Sequence, residues 1–480
     1  MAKESQEGIQ TKKEEDIAKW YEEVCLKAKL AEFSPVKGTM IIRPKGYYIW
    51  EKIQEYFNKE IVEGTGAENA YFPLFIPESF FKRESEHADD FNLEVAWIDP
   101  KVTGTGERLA VRPTSETIMY DSFSKWIRSH RDLPLKINQW SNVVRWETET
   151  TKLLLRSREF LWQEGHCVYE TNEECEKETR RYIELYQKLC EEVLALPTLI
   201  GQKTDKERFA GAEYTYTIEA FMPDGKAVQS GTSHNLGQGF AKAFGISYLG
   251  KDENKHLPWQ NSWGLSTRLL GGAIMTHSDN KGLVLPPRVV KNKLAIIPIL
   301  FENSKEQVLE KAEEIKNKLS SYRPILDDRE EYSPGWKYSD YELEGIPLRL
   351  ELGPKDLEKD SVMVVKRNNS EKIQVKIDEL EEKIPEVLEN MHKELLESAK
   401  EILESNIVEV SDWEEFKQAI ENRKIVKTLW CGETPCEEEI KEETGGASSR
   451  CMPLDQGKVS GKCPHCGNDA ITEIYFSKSY

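Results

Sequence analysis

Two runs of alternating character, LKINQWSNVVRWE (135–147) and REFLWQEGHCVYE (158–170), most constrain how this chain can fold. Successive side chains of a strand point to opposite faces, so the second run puts Phe160, Trp162, Glu164 and His166 on one side. The first run groups Val143, Arg145 and Glu147 in the same way. The connecting loop, TETTKLLLRS (148–157), is longer than a tight turn, and the two runs are expected to pair antiparallel. An aromatic floor carrying a carboxylate and an imidazole is either an ion-pair network in a core or the wall of a pocket. Either way these polar groups must find partners, because a buried charge without one is strongly destabilising.

The surrounding pattern predicts a largely antiparallel sheet with helices around it. Helical spacing is clear in IAKWYEEVCLKAKL (17–30) and over about 171–194. GTMIIRPKGYYIWEKI (38–53) reads as a short strand broken at Pro44 and Gly46, followed by an amphipathic helix through Ile49, Ile53, Tyr56 and Phe57. GKAVQSGTSHNLGQGFAKAF (225–244) and NSWGLSTRLLGGAIMTHSDNKGLVLPP (261–287) each pass from strand to helix. LPPRVVKN (285–292) marks a boundary. After it, apolar runs alternate with helices, as in a small α/β domain of about a hundred residues. From about 385 a charged helical segment leads into a cysteine-rich end.

Composition narrows the partners. A net charge of -19 argues against bulk attraction to nucleic acid or anionic membranes, so any RNA must meet local basic groups. No run of eighteen apolar residues suggests a spanning helix. The opening MAKESQEGIQTKKEED reads as a solvated arm (about 1–16), not a signal peptide. Scattered Cys25, Cys167, Cys175 and Cys190 fit reduced thiols in a cytoplasm. Cys431, Cys436, Cys463 and Cys466 form two short-spaced pairs, which suits a closed tetrahedral zinc site, the alternative being free thiols. Cys451 is the spare, and His465 lies between two better ligands.

Several segments carry candidate chemistry. Arg145, Arg156 and Arg268 offer guanidinium forks that match phosphate oxygens, and Arg268 opens a helix beside small residues. No GxxxxGK[ST] loop is present, so a nucleotide needs another scheme. In RPTSE (112–116), Thr114 and Glu116 offer acceptors after a turn, although Glu116 also suits a helix start. GTSHNLGQ (231–238) places His234 between glycines, as a ligand contact or as a structural histidine.

Together these segments resemble the class II aminoacyl-tRNA synthetases, and specifically the prolyl-tRNA synthetases of the archaeal and eukaryotic type. GTMIIRPKGYYIWEKI is similar to motif 1, NVVRWE with LLLRSREFLWQEGH to motif 2, and GLSTRLLGGAIMTHSD to motif 3. RPTSE and KTDKERFAGA (203–212) are similar to signatures of the prolyl family. The motif 2 loop departs from the family by lacking a Pro-Phe pair, and Tyr169 stands where a second histidine is usual.

The resemblance implies an α+β chain in three parts: a class II antiparallel-sheet catalytic domain (1–285), an α/β anticodon-binding domain (286–388) and a zinc-binding α+β domain (389–480). It implies activation of L-proline with ATP and Mg2+, then transfer to tRNA(Pro). By the same resemblance, Arg145 and Arg268 are the catalytic residues. Thr114, Glu116, Arg145, Trp162, Glu164, His166, Phe209, His234 and Ser266 bind proline. Arg145, Glu147, Arg156, Ser157, Gln229, Thr232 and Arg268 bind ATP. Arg349, Asp356 and Arg367 read the anticodon. A homodimer through motif 1 and a structural zinc ion are also implied, as is Tyr480 turning toward the catalytic domain. The segment from His166 to Ser266 holds only about a hundred residues, too few for an inserted editing domain beside the elements it already contains. Competing readings are another class IIa synthetase or a non-catalytic RNA-binding relative. The latter tends to lose its motif arginines, whereas Arg145 and Arg268 are both present.

Overall fold

A computed structural model of the chain describes residues 8–85, 94–146 and 151–479. The two runs form antiparallel strands Leu135–Val144 and Glu159–Tyr169, with Gln139 opposite Glu164 and Val143 opposite Phe160. The sheet continues through Trp259–Ser266, Lys226–Gly237, Tyr214–Phe221 and Leu199–Gln202, all antiparallel. The long helix Asn172–Leu194 covers one face, with Tyr182, Tyr186 and Leu189 buried.

The sheet tolerates two tryptophans at its centre because glycine lies beside each. Gly165 is opposite Trp263, and a Cβ there would meet the Trp263 ring at 2.1 Å. Gly264 is opposite Glu164, and a Cβ there would meet Trp162 at 2.6 Å. Trp263 stacks on Tyr182 under the helix, with ring centroids 4.0 Å apart.

The helix expected after Pro44 runs over Pro44–Phe57, with the proline in its first turn, where its missing N–H is harmless. Leu153, Leu154 and Leu155 of the connecting loop are buried in the main core with Trp20, Tyr21 and Leu270. The last two positions of the loop, Arg156 and Ser157, stay partly open.

The second domain has a five-stranded sheet ordered Ile325–Leu326, Leu294–Pro298, Leu348–Leu352, Ser361–Lys366, Lys372–Lys376. Its first three strands are parallel, and Lys305–Lys318 packs Val308, Ala312 and Ile315 into its core.

Two features differ from the expected partition. No break separates 388 from 389, because one helix, Leu380–Ser405, crosses that point. Its apolar stripe meets three surroundings in turn: Ile384 and Leu388 in the second core, Met391 beside Ala195 and Val284, and Leu403 beside Phe221 and Ile425. The cysteine-rich end is not a detached module either. Its strand Ser448–Pro453 pairs with Leu199–Gln202, and Thr472–Ser479 pairs with the start of Lys226–Gly237, making one eleven-stranded sheet among the described residues.

Replacing Gly165 with Ala forces a methyl group into the Trp263 ring. Overpacking of this kind costs about 1–3 kcal/mol. Thermal unfolding of Gly165→Ala is expected to begin at clearly lower temperature. Gly64→Ala, where a Cβ meets nothing within 4 Å, is expected to match the parent chain.

Candidate active site

A cavity of about 180 Å³ opens over the centre of the sheet. Glu164 lies at its base, buried and bonded on both carboxylate oxygens. The Ser115 backbone N–H and hydroxyl donate to its carboxylate at 3.2 and 2.5 Å, and the Gln139 amide donates at 3.0 Å. His166 Nε2 lies 3.2 Å away, while its Nδ1 meets the Tyr120 hydroxyl at 3.0 Å. Strand alternation puts Glu164 and His166 on the same face, as the spacing predicted.

Glu116 stands at the start of the helix Glu116–Trp126 and also lines the cavity. The Thr114 hydroxyl donates to it. Burial pushes the Glu116 carboxyl up, helped by the Glu164 charge and opposed by His166. Burial also works against the Glu164 anion, but the His166 and Ser115 contacts and the charge of Arg112 hold its carboxyl below the usual range. For His166 burial favours the neutral ring, yet Glu164 and Glu116 raise its pKa. The result is an anion paired with a histidine, and beside it a carboxyl that welcomes an incoming cation.

Trp162, Phe209 and His234 form the walls, with the Phe209 and His234 rings 4.7 Å apart. His234 is held by the Thr215 and Thr232 hydroxyls at 2.9 and 3.0 Å. Gln229 and Thr232 line the same cavity. An adjoining cavity of about 40 Å³ gathers Arg156, Ser157, Ser266 and Arg268. Arg268 opens the helix Arg268–His277 and donates to the Leu155 carbonyl at 3.1 Å. Arg145 lines both cavities, anchored on the Pro113 carbonyl at 3.3 Å and facing the Trp162 ring at 5.8 Å. Glu147 and Tyr480 lie outside the described residues. Glu207, within KTDKERFAGA, Ser262, within the strand run at 261–266, and Thr215 also line the main cavity, and none was singled out by residue type or spacing.

Residues 99–277 match the tRNA synthetase class II core domain (G, H, P, S and T), 293–387 an anticodon binding domain, and 413–480 the prolyl-tRNA synthetase C-terminal domain. The chain is 50% identical over 475 residues to a proline–tRNA ligase of Lachnoclostridium phytofermentans, covering 98% of each. It is 47% identical over 485 residues to that of Alkaliphilus oremlandii, covering all of both. The chain belongs to the prolyl-tRNA synthetase family. That membership makes it a class II aminoacyl-tRNA ligase acting on proline, and the expected fold of catalytic and anticodon-binding domains holds. The prolyl-tRNA synthetase of Cryptosporidium parvum, solved with L-proline and AMP, superposes with a TM-score of 0.92 at 42% identity, covering 100% of this chain and 99% of that one. A second structure of the same enzyme, with halofuginone and AMPPNP, superposes equally well.

Elsewhere in the synthetase, the sulfurs of Cys431, Cys436, Cys463 and Cys466 lie within 4.8 Å of one another. Thiolates held about 2.3 Å from a tetrahedral zinc ion are about 3.8 Å apart. The Cys436 and Cys463 sulfurs are 3.8 Å apart, so the residues fit the ion. Cys451 lies away from them, buried against Gly201.

One of the three anticodon candidates is committed elsewhere. Arg367 is buried and makes two bonds of 2.7 Å to the Asp279 carboxylate and one of 2.8 Å to the Glu342 carbonyl. Asp279 follows the helix that Arg268 opens, so Arg367 joins two domains and has no free face for a base edge. Arg349 is ion-paired with Glu342 and Glu351 and stacks on Tyr338, and Asp356 caps its own short helix through the Gly353 N–H.

Burial pushes the His234 ring down to about 3, so it is neutral in the folded synthetase. An unfolded histidine takes up a proton below about 6.5. Stability from this group is therefore complete above that pH and is lost as pH falls toward 3, by at most about 1.4 kcal/mol per pH unit. His234→Gln lacks this proton. The gap in unfolding midpoint between parent and variant is expected to narrow steadily from pH 6.5 to 4.5.

Proposed function

We propose that this synthetase activates L-proline with ATP to prolyl-adenylate and transfers proline to the 3′ end of tRNA(Pro). The observation that carries the reading is the position of Arg145 at the joint between a cavity of carboxylates and aromatic rings and one of arginines. Proline's secondary ammonium meets Glu116 and Thr114, and its arrival offsets the cost of ionising Glu116 in a buried place. Trp162, Phe209 and His234 enclose the ring, with Glu164 and His166 beneath. Ser266 lines the second cavity, beside Arg145. Arg145 holds the carboxylate against the α-phosphate, and Arg268 takes the γ-phosphate. Arg156, Ser157, Gln229 and Thr232 contact the rest of ATP, with Glu147 nearby in the chain.

The carboxylate oxygen attacks the α-phosphorus and pyrophosphate leaves. Charge spreads over phosphate oxygens as this happens, so fixed guanidinium groups stabilise the transition state without reorganising. Magnesium would enter with ATP as part of the substrate and would offset the charge of its phosphates.

The same proposal assigns the chain to the archaeal and eukaryotic architectural type, supported by its full-length likeness to the Cryptosporidium enzyme. It includes a cytoplasmic location and no editing in cis. Among the described residues no helix is long and apolar enough to cross a membrane. It includes a homodimer through the motif 1 region, where Phe33, Ile41 and Tyr47 present exposed apolar surface. Anticodon recognition is assigned to the domain of residues 293–387, with Arg349 and Asp356 as candidates and Arg367 as a joint. A structural zinc ion is held by the four clustered cysteines.

Proline-dependent ATP–pyrophosphate exchange tests the central reading. Robust exchange with proline and weak or no exchange with threonine or glycine is expected. Arg145→Ala should lower the rate by at least about a hundredfold, the consequence of losing roughly 3 kcal/mol of transition-state stabilisation. Near-normal exchange in that variant contradicts the assignment.

Metal analysis tests the zinc site separately. About one zinc per chain is expected, kept in Cys451→Ser and lost or much weakened in Cys466→Ser. Loss of the metal in Cys451→Ser alone rules out this ligand set.

A further inference from the structure

One buried charge cluster has no part in the chemistry above. Glu219, on the strand Tyr214–Phe221, is 1% exposed and uses both carboxylate oxygens. One accepts from Lys203 Nζ at 2.7 Å and from the Thr217 hydroxyl at 3.0 Å. The other accepts from Arg450 Nη2 at 2.9 Å and Nε at 3.3 Å. Burial opposes the Glu219 anion, and Arg450 and Lys203 together hold its carboxyl below the usual range.

The three residues belong to different pieces of the protein. Arg450 lies on Ser448–Pro453, a strand of the cysteine-rich end. Lys203 is the first residue of the segment that carries Glu207 and Phe209 into the wall of the amino-acid cavity. The segment is then held at Phe209, whose N–H donates to the Thr215 hydroxyl at 3.0 Å, the same hydroxyl that meets His234. Two further contacts tie it to the cysteine-rich end. Thr204 meets Ser449, which donates to the buried Glu437 carboxyl, and Lys206 pairs with Glu438 at 3.1 Å. Glu437 and Glu438 directly follow Cys436 on the helix Thr434–Glu443, so the cysteine cluster and this joint share one rigid element.

We propose that the Lys203–Glu219–Arg450 triad makes the cysteine-rich end a positioning element for the amino-acid cavity. Arg450 and Glu219 are positioning residues. They touch no substrate, but they fix where residues 203–213 leave the sheet, and so where Phe209 and Glu207 stand. Removing one member of a buried ion cluster leaves the others short of a partner, and the structure relaxes to recover solvent. The free end of that relaxation is the 203–213 segment, since the strands on both sides are locked in the sheet. The phosphate-binding arginines lie on other elements and keep their places. The inference rests on the reading that this cavity takes proline.

The experiment is steady-state exchange with the full-length protein. Its readouts are the separate KM values for proline and ATP, kcat, and zinc content. Arg450→Met is expected to raise KM for proline by about tenfold while KM for ATP moves by less than about twofold and zinc is retained. Arg450→Lys, which keeps a donor and the charge, should recover most of that loss. Equal rises in both KM values, or an unchanged KM for proline in folded Arg450→Met, overturn the inference. If Arg450→Met is insoluble, the decision passes to the exposed pair. Glu438→Lys should raise KM for proline by about threefold, and Glu438→Lys with Lys206→Glu should restore it. An unchanged KM for proline in Glu438→Lys overturns the inference. Absence of proline-dependent exchange in the parent protein counts instead against the proline reading itself.

Discussion

The buried Glu164 carboxylate is the interaction on which the candidate site depends. Its oxygens accept from the Ser115 N–H and hydroxyl and from Gln139, and they face His166. These partners come from the 112–116 turn and two neighbouring strands. One charge therefore draws three segments together, because each has to supply donors to an anion removed from water. Arg112 completes the arrangement. It is fully buried, donating to the Phe72 carbonyl at 2.8 Å and to the Asn142 carbonyl at 3.0 Å. It thereby fixes the turn that presents Thr114 and Glu116.

Burial then divides the carboxyl groups of the site by role. Glu164 is kept as an anion by His166 and surrounding donors, whereas Glu116 has its carboxyl raised. Two carboxyl groups in one pocket with opposite shifts form a receptor for a single positive charge. An amino acid whose amine is a compact secondary ammonium satisfies that demand, and the aromatic walls leave room for an apolar ring.

The domains are coupled by buried polar groups instead of by apolar contact alone. Arg367 clamps Asp279 just beyond the helix opened by Arg268. Lys13, burial of which lowers its pKa to about 8, bonds the Met275 and Ser278 carbonyls at the end of that helix. The helix that Arg268 opens is thus held at its far end by the second domain and by the N-terminal segment. The cysteine-rich end is joined on the other side of the sheet through Arg450 and Glu219.

Local pattern was enough for the strand pair, the helix after Pro44, the helix over 172–194 and the cysteine spacing, because each is written in periods of two or 3.6 or in short intervals. The face shared by Trp162, Glu164 and His166 was legible for the same reason. Tertiary structure alone decided the rest. Ser115, Gln139, Ser262 and Glu207 are polar residues with no distinctive spacing, and they matter only because the fold brings the first two to Glu164 and the last two to the cavity. Arg367 read as an exposed base contact, since a guanidinium near a loop carries no sign of the carboxylate it will meet 88 residues away. The continuity of one helix across residue 388 and the pairing of the cysteine-rich end with the main sheet were not legible either. An amphipathic helix does not announce that its stripe will pass from one core to the next, and an edge strand does not reveal which sheet it will extend. Partners far apart in the chain are chosen by the complementarity of folded surfaces, and that complementarity exists only once the surfaces have formed.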